Sequence, residues 1–363
     1  MPRLNRMNRY MPAESPAHIP TLDGLRAIAI LLVIASHSTI RHELPWLIQL
    51  GHPGVLIFFA LSGFLITNRL LQEHQRTGTI SLRDFYLRRV FRILPPAVTY
   101  LAIVAILNLA GVIVCSWPAI RAALLFYTNY VNFGDAGWWV GHFWSLSVEE
   151  HFYLFWPLLL ITFGVAGGWR SAALVALAVC IWRPIDNHFD FIAHLFRAPY
   201  LSSTIYRTDL IADALLWGCC LAFFLKGPLR RVDGAHVAST LAAVVAGAAL
   251  VYISILEVKH VTPLLHVLPT LLLAAVVAVP TAPIGRFLET KPMRYIGKLS
   301  YSIYIWQQLF TGGYALPLSI ALPAIFACAY LSYRFIEQPS IRYGKRFIAS
   351  LRPQLEQRRS ACR

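Results

Sequence analysis

The stretch LDGLRAIAILLVIASHS, residues 22–38, has a basic residue near its start, a histidine near its end and an apolar run between them. With its flanks it supplies the roughly 20 residues that a membrane-spanning helix needs. The rest of the 363-residue chain is similar, because 57% of its residues are hydrophobic and only 13% are charged. A soluble domain is typically about 45–50% apolar and about 25% charged. The composition therefore predicts an integral membrane protein, and it excludes a disordered chain.

Nine further stretches are long and apolar enough to cross a membrane, which makes ten with the run at 24–42. They lie near residues 50–69, 94–114, 144–166, 171–185, 208–226, 236–256, 262–281, 299–316 and 317–336. An eleventh candidate, 117–133, is shorter and more polar. If it does not span, 26 of the 32 Lys and Arg residues lie on the side of the chain termini, whereas the distribution is nearly even if it spans. The positive-inside rule therefore favours ten spans.

These observations predict an all-α fold: a polytopic integral membrane protein with about ten transmembrane helices and both termini in the cytoplasm. Its parts would be a cytoplasmic N-terminal segment (1–20), a membrane domain (21–345) and a basic cytoplasmic tail (346–363). Segment 117–133 would be re-entrant or interfacial. Most of the net charge of +15 then belongs to basic residues that orient the helices in the membrane. We therefore expect membrane lipids and no nucleic acid as partners. The six cysteines form no CxxC pair, and we expect no metal.

Ionisable groups inside a membrane are costly, so each of them is a candidate for function. Arg26 and His37 are eleven positions apart, which puts them on one face of a helix and about 16 Å apart along its axis. Arg89 and Arg92 would share a face of the next basic segment, and arginine forks suit phosphate groups. The alternatives are a snorkelling anchor, a packed histidine and a basic loop that binds lipid headgroups.

The segment HFWSLSVEEHFYLFWP, residues 142–157, brings Ser145, Glu149 and Glu150 to the start of a span. A glutamate there could orient an imidazole, as the acid of a catalytic triad does. Alternatively, the acids favour the positive end of the helix dipole. Asp213 could likewise bind a substrate or only cap a helix. Tyr301 and Gln307 lie on a polar face that could contact substrate or join helices.

Seven strings along the chain resemble the acyltransferase 3 family of membrane acyltransferases, in the same order and over about residues 20–345. They are LDGLRAIAILLVIASHS, GVLIFFALSGFLITNRLL, DFYLRRVFRILPP, HFWSLSVEEHFYLFWP, DALLWGCCLA, GKLSYSIYIW and YRFIEQP. The resemblance implies a ten-helix enzyme of the inner (plasma) membrane. Such an enzyme moves an acyl group, usually acetyl, from cytoplasmic acyl-CoA to a hydroxyl of an extracytoplasmic glycan or glycolipid, such as O-antigen or exopolysaccharide.

The resemblance also assigns residues. Arg26 and His37 match the family's Arg-x10-His element, and Arg89 with Arg92 matches its Arg-x-x-Arg element. Glu149 matches the carboxylate of its W-S-L-x-x-E stretch, with Glu150 as a second candidate.

Two departures affect the assignments that the resemblance suggests. Ile211 replaces an expected Arg, which argues against an Arg–Asp pair in the DALLWGCCLA segment. Gln307 replaces a frequent His, which leaves His37 without a second imidazole. Many members carry a C-terminal hydrolase-like domain. Because none is seen here, we expect this chain to finish the reaction alone, as a homo-oligomer or with a periplasmic partner.

The expected mechanism places the phosphates of acyl-CoA on Arg26, Arg89 and Arg92. His37 would be the general base on the acceptor hydroxyl, or a transient acyl carrier, and Glu149 would hold its tautomer. The remaining candidates would stabilise the oxyanion or contact substrate: Ser145, Asp213, Tyr301 and Gln307. The rival hypotheses are a transporter or flippase of a lipid-linked glycan, with a His/Glu proton relay, and a membrane sensor in which His37 responds to pH.

Overall fold

The computed structural model describes residues 19–38, 43–196, 206–225, 236–256, 262–311 and 316–361. All regular secondary structure in these ranges is helical. The α-helices are, in chain order, α1 (Pro20–His37), α2 (Gly51–Thr77), α3 (Leu82–Leu109), α4 (Trp117–Leu124), α5 (Trp138–Gly141), α6 (Phe143–Thr162), α7 (Gly168–Phe189), α8 (Phe191–Leu195), α9 (Thr208–Ile211), α10 (Asp213–Phe224), α11 (His236–Ile255), α12 (Thr262–Ala278), α13 (Pro283–Leu288), α14 (Lys291–Thr311), α15 (Leu318–Ser332) and α16 (Gln338–Ala361).

The membrane character of the chain is clear from its long apolar helices. Six helical segments of the described residues are long and apolar enough to cross a membrane: Pro20–His37, Pro45–Thr77, Leu82–Leu109, Val165–Phe189, His236–Ile255 and Leu318–Leu351. The other predicted stretches also coincide with helices, namely α6, the pair α9 and α10, α12 and α14. The all-α, multi-pass fold is therefore confirmed. The number of ten spans and the cytoplasmic position of the termini stay predictions.

Segment 117–133 contains the short helix α4 followed by a single 3₁₀ turn at Thr128–Tyr130. The helix has eight residues and is about 12 Å long. A hydrocarbon core is about 30 Å thick, so this helix cannot cross it. The geometry agrees with the non-spanning role that the charge distribution favours.

The C-terminal helix α16 continues through the predicted boundary between residues 345 and 346. Its first turns pack against α3, where the Phe91 ring lies 5.5 Å from Tyr343 and 5.9 Å from Phe347 between centroids. A π-helical turn at Tyr333–Glu337 joins α15 to α16. The start of the predicted tail is therefore part of the folded membrane domain.

The centre of the bundle is held together by glycines that allow backbones to touch. A Cβ built on Gly63 of α2 would overlap the backbone of Leu215, and one built on Gly218 of α10 would overlap the backbone of Ala60. A Cβ on Gly297 of α14 would likewise overlap the carbonyl of Asp23 in α1. Inside a lipid bilayer the hydrophobic effect does not drive helices together. Association depends instead on van der Waals contacts, which small residues allow by letting the helices approach closely.

Substitution of Gly297 tests this packing. Gly297→Ala forces α14 away from α1, and overpacking of this kind typically costs about 1–3 kcal/mol. We expect the thermal unfolding midpoint in detergent to fall by several degrees. The matched control is Gly247→Ala in α11, where a Cβ meets nothing within 4 Å and the better helix propensity of alanine should hold or raise the midpoint. Equal midpoints for the two variants would contradict the close crossing.

Candidate active site

Two cavities lie end to end inside the helical bundle. The inner cavity, of about 350 Å³, is lined by arginines and by Glu149. The outer cavity, of about 500 Å³, is lined by His37 and by aromatic and amide side chains. Among the described residues, Val55 and Tyr304 line both cavities. We call this pair the junction, and we name the cavities for the membrane sides that the charge distribution predicts.

Helix α2 presents one continuous face to both cavities. Arg69 and Ser62 line the inner cavity, Val55 lies at the junction, and His52 lines the outer cavity. From Arg69 to His52 the helix rises about 25 Å, which approaches the thickness of a hydrocarbon core of about 30 Å. The two cavities together therefore extend across most of the thickness of a bilayer.

Helix α1 runs alongside α2 in the opposite direction. Its residue Arg26 lines the inner cavity and its residue His37 lines the outer one. The structure thus brings both residues to the cavity-facing side of one helix, as their spacing predicts. It also separates them, because each lies in a different compartment.

The inner cavity gathers four guanidinium groups, those of Arg26, Arg69, Arg89 and Arg92. Three of them are predicted from the sequence. Arg69 is missed, although its position two helical turns after Ser62 puts it on the same face of α2. Such a cluster suits a ligand with several phosphate groups, which arginine binds through paired, charge-assisted hydrogen bonds.

Two of these arginines also have partners within the bundle. Arg26 Nη1 lies 3.2 Å from Asp23 Oδ1 in α1. The guanidinium carbon of Arg89 lies 4.6 Å from the centroid of the Tyr153 ring, a cation–π contact. These contacts hold the two side chains in the cavity wall without using all of their donors.

Glu149 lies in the inner cavity, and both of its oxygens are engaged. Oε1 accepts a hydrogen bond from Ser62 at 2.8 Å, and Oε2 accepts one from Tyr153 at 2.7 Å. His37 lines the other cavity. Glu149 therefore lies beside the arginines and not in the position from which it was expected to hold the tautomer of His37.

The orienting partner of His37 is a backbone carbonyl of its own helix. His37 Nδ1 lies 2.8 Å from the Val33 oxygen, which can only accept a hydrogen bond. The contact therefore requires the proton on Nδ1 and leaves the lone pair on Nε2. Ser36 Oγ lies 3.1 Å from the same nitrogen and donates to the same carbonyl. A neutral imidazole held in this way is suited to accept a proton.

The hydroxyl groups near the junction are tied to one another and to the backbone. Ser145 Oγ lies 2.6 Å from the Tyr304 hydroxyl, which donates to the His142 carbonyl at 2.9 Å. Tyr301 lines the inner cavity, and its hydroxyl donates to the Ile93 carbonyl at 2.7 Å. Ser145 and Tyr301 thus both line the inner cavity, with their hydroxyls hydrogen-bonded within the bundle, and their predicted roles stay predictions.

Three predicted residues lie outside the walls of both cavities, namely Glu150, Gln307 and Asp213, which is described below. The Oε1 atom of Glu150 is buried without a hydrogen bond among the described atoms. Gln307 is fully buried, and its amide group bonds the side chains of Gln308 and Thr311. Its neighbour Gln308 lines the outer cavity instead.

The outer cavity also contains imidazoles that sequence reasoning missed. His52 of α2 and His142 line it together with His37. Their positions in the chain carry no motif that points to one another. Only the packing of α1, α2 and α6 brings the three together, so the absence of a histidine at position 307 does not leave His37 as the sole imidazole.

Asp213 is placed in an inter-helix ion pair and outside the walls of both cavities. Its Oδ1 lies 2.6 Å from Arg183 Nη2 of α7 and 2.7 Å from His266 Nδ1 of α12. The Asp213 side chain is completely buried. The expectation that Ile211 argues against an Arg–Asp pair in this segment is therefore wrong, because Arg183 of α7 supplies the arginine. The geometry supports a structural role for Asp213 in place of the expected substrate contact.

Comparison with known proteins identifies the family of the chain. Residues 19–335 match the model of the acyltransferase 3 family, which is described as an acyltransferase domain. The chain belongs to the acyltransferase 3 family. No solved structure matches it.

Two relatives illustrate the similarity. The peptidoglycan O-acetyltransferase OatA of Listeria monocytogenes is 29% identical over 94% of this chain and 58% of its own length. The O-acetyltransferase OatA of Staphylococcus aureus strain NCTC 8325 is 28% identical over 93% of this chain and 59% of its own length. The chain therefore spans about three fifths of the length of the curated relatives that it matches.

The ion pair between Arg183 and Asp213 can be tested by removing one partner and then both. Asp213→Asn leaves the buried guanidinium without its counter-ion, and breaking a buried pair in this way costs about 3–5 kcal/mol. We expect a large fall in the unfolding midpoint of this variant. The double variant Arg183→Met with Asp213→Leu should recover the midpoint, together with the acyl-transfer activity that we propose below. A stable double variant without activity would instead assign Asp213 to the substrate.

Proposed function

We propose that this protein is a membrane O-acyltransferase of the inner membrane that moves an acyl group, acetyl foremost, from cytoplasmic acyl-CoA to a hydroxyl of an extracytoplasmic glycan or glycolipid. The observation that carries the proposal is the separation of a guanidinium-lined cavity from an imidazole-lined cavity along α1 and α2. Family membership supports the acyl transfer, and the names of the relatives support acetyl as the group and a hydroxyl as its acceptor.

The donor would enter at the inner cavity. CoA is strongly anionic and cannot enter hydrocarbon, so its phosphates need cationic partners at the cytoplasmic end of the bundle. Arg69, Arg89 and Arg92 offer planar forks for these phosphates. The flexible arm of CoA, which has no net charge, would then extend along α2 past Ser62 and carry the thioester towards Val55.

The acceptor would bind in the outer cavity. Its wall includes the stacked pair Trp144 and Tyr206, whose ring centroids lie 4.0 Å apart, and the side-chain amides of Asn129 and Gln308. Aromatic faces and a few directed polar groups are what a binding pocket uses to orient a ligand. This combination suits a sugar, which has apolar C–H faces and many hydroxyl groups.

His37 would carry out the proton transfer. Its Nε2 takes the proton of the acceptor hydroxyl while the hydroxyl oxygen forms a bond to the acyl carbon. The carbon–sulfur bond breaks, and the proton passes on to the departing thiolate. The Val33 carbonyl keeps Nδ1 protonated throughout and stabilises the imidazolium. General base catalysis of this type contributes about 10²–10⁴-fold in rate.

The donor site is tested by single substitutions in the arginine cluster. Arg92→Gln and Arg69→Gln should each weaken acetyl-CoA binding about tenfold or more, because each removes a charge-assisted contact with phosphate. The matched control is Arg88→Gln, since Arg88 is paired with Glu73 at 3.1 Å and is outside the cavity wall. Binding is measured by calorimetry on the purified protein. Equal losses for all three variants, or none, would contradict the proposed site.

The reaction is tested by feeding labelled acetyl-CoA to inside-out vesicles that contain the acceptor glycan. We expect covalent label on the glycan with the native protein and a loss of about 10²-fold or more with His37→Ala. The control His74→Ala, near the end of α2, should retain the native rate. Transport of glycan without any label would indicate a flippase and contradict the proposal, as would full activity of the His37 variant.

A further inference from the structure

The two cavities adjoin at two side chains that belong to the wall of both. Among the described residues, only Val55 and Tyr304 line both of them. Both side chains are buried, with relative exposures of 6% and 7%. The shortest way from the arginine cluster to His37 therefore leads past these two groups.

Tyr304 is fixed on its side of the junction. Its hydroxyl is held by Ser145 Oγ at 2.6 Å and by the His142 carbonyl at 2.9 Å. Its ring packs edge-on against Phe58, with centroids 6.4 Å apart, and against the His142 ring at 5.5 Å. Two hydrogen bonds and two ring contacts leave the side chain little freedom to swing away.

Val55 is fixed on the other side by the approach of α2 to α1. A Cβ built on the preceding residue, Gly54, would lie 2.6 Å from the Ala29 carbonyl oxygen and 2.9 Å from Val33 Cγ2. The two helices are thus in close contact at the level of the junction, and this packing positions Val55.

We propose that Val55 and Tyr304 determine the length of the acyl chain that the protein transfers, and that they restrict it to short chains. The inference rests on the proposed function. With the CoA phosphates on the arginine cluster, the acyl group is the leading end of the donor and the part that meets the junction. A longer chain has to fit between a fixed ring and a fixed β-branched side chain before its carbonyl carbon comes within reach of His37.

Two substitutions that change the size of side chain 55 in opposite directions test the proposal. Val55→Ala widens the passage and Val55→Ile narrows it, while both keep the apolar character of the site. The measured quantity is the ratio of kcat/KM for butyryl-CoA to kcat/KM for acetyl-CoA. One methylene in a pocket changes such ratios by about 10–200-fold. We expect the ratio to be low in the native protein, to rise about tenfold or more in Val55→Ala and to fall in Val55→Ile.

The control is Val104→Ala, which makes the same truncation at a buried residue of α3 outside both cavities. It should leave the ratio at its native value even if it lowers stability. A ratio that is unchanged in both Val55 variants, or that changes equally in Val104→Ala, would overturn the proposal while leaving the enzyme function intact. A native protein that uses no acyl-CoA would instead overturn the proposed function.

Discussion

A guanidinium group inside a helical membrane bundle is costly unless an anion, an acceptor or water lies beside it, and this requirement divides the arginines of the chain into two kinds. Arg183 and Arg207 are buried against carboxylates, at 2.6 Å from Asp213 and 2.7 Å from Asp186. Such pairs are complete and need no ligand. The arginines of the inner cavity surround open space instead, and the acids of its wall are fewer than its arginines. The excess of positive charge there is what a polyanionic donor would neutralise.

The rest of the proposed site follows from keeping that charge away from the imidazole of His37, the proposed general base. A cationic cluster next to His37 would disfavour its protonation, whereas about 16 Å of helix between Arg26 and His37 weakens the repulsion. The same distance explains why the orienting group of His37 is local. The Val33 carbonyl lies one turn away in the same helix and accepts the proton of Nδ1, so a local contact is enough to orient the ring. Glu149 can then serve the arginine-rich cavity.

The sequence predicts what depends on local periodicity. Helical stretches, the shared face of Arg26 and His37, and the cluster of Arg89 and Arg92 all follow from spacing along one helix. It does not predict which helices face each cavity, because that depends on packing between distant segments. Gln307 and Gln308 show the limit, since adjacent residues differ by about 100° around the axis and only the packed structure shows that Gln308 lines the outer cavity.

The arrangement of two cavities open to opposite sides is tested most directly with single cysteines and a membrane-impermeant thiol reagent in sealed vesicles. Gln72→Cys reports on the inner cavity and Gln49→Cys on the outer one. We expect the first to react only from the cytoplasmic face and to be protected by acetyl-CoA, and the second to react only from the opposite face without such protection. Reaction of both from one face, or protection of both by acetyl-CoA, would contradict the separation of donor and acceptor.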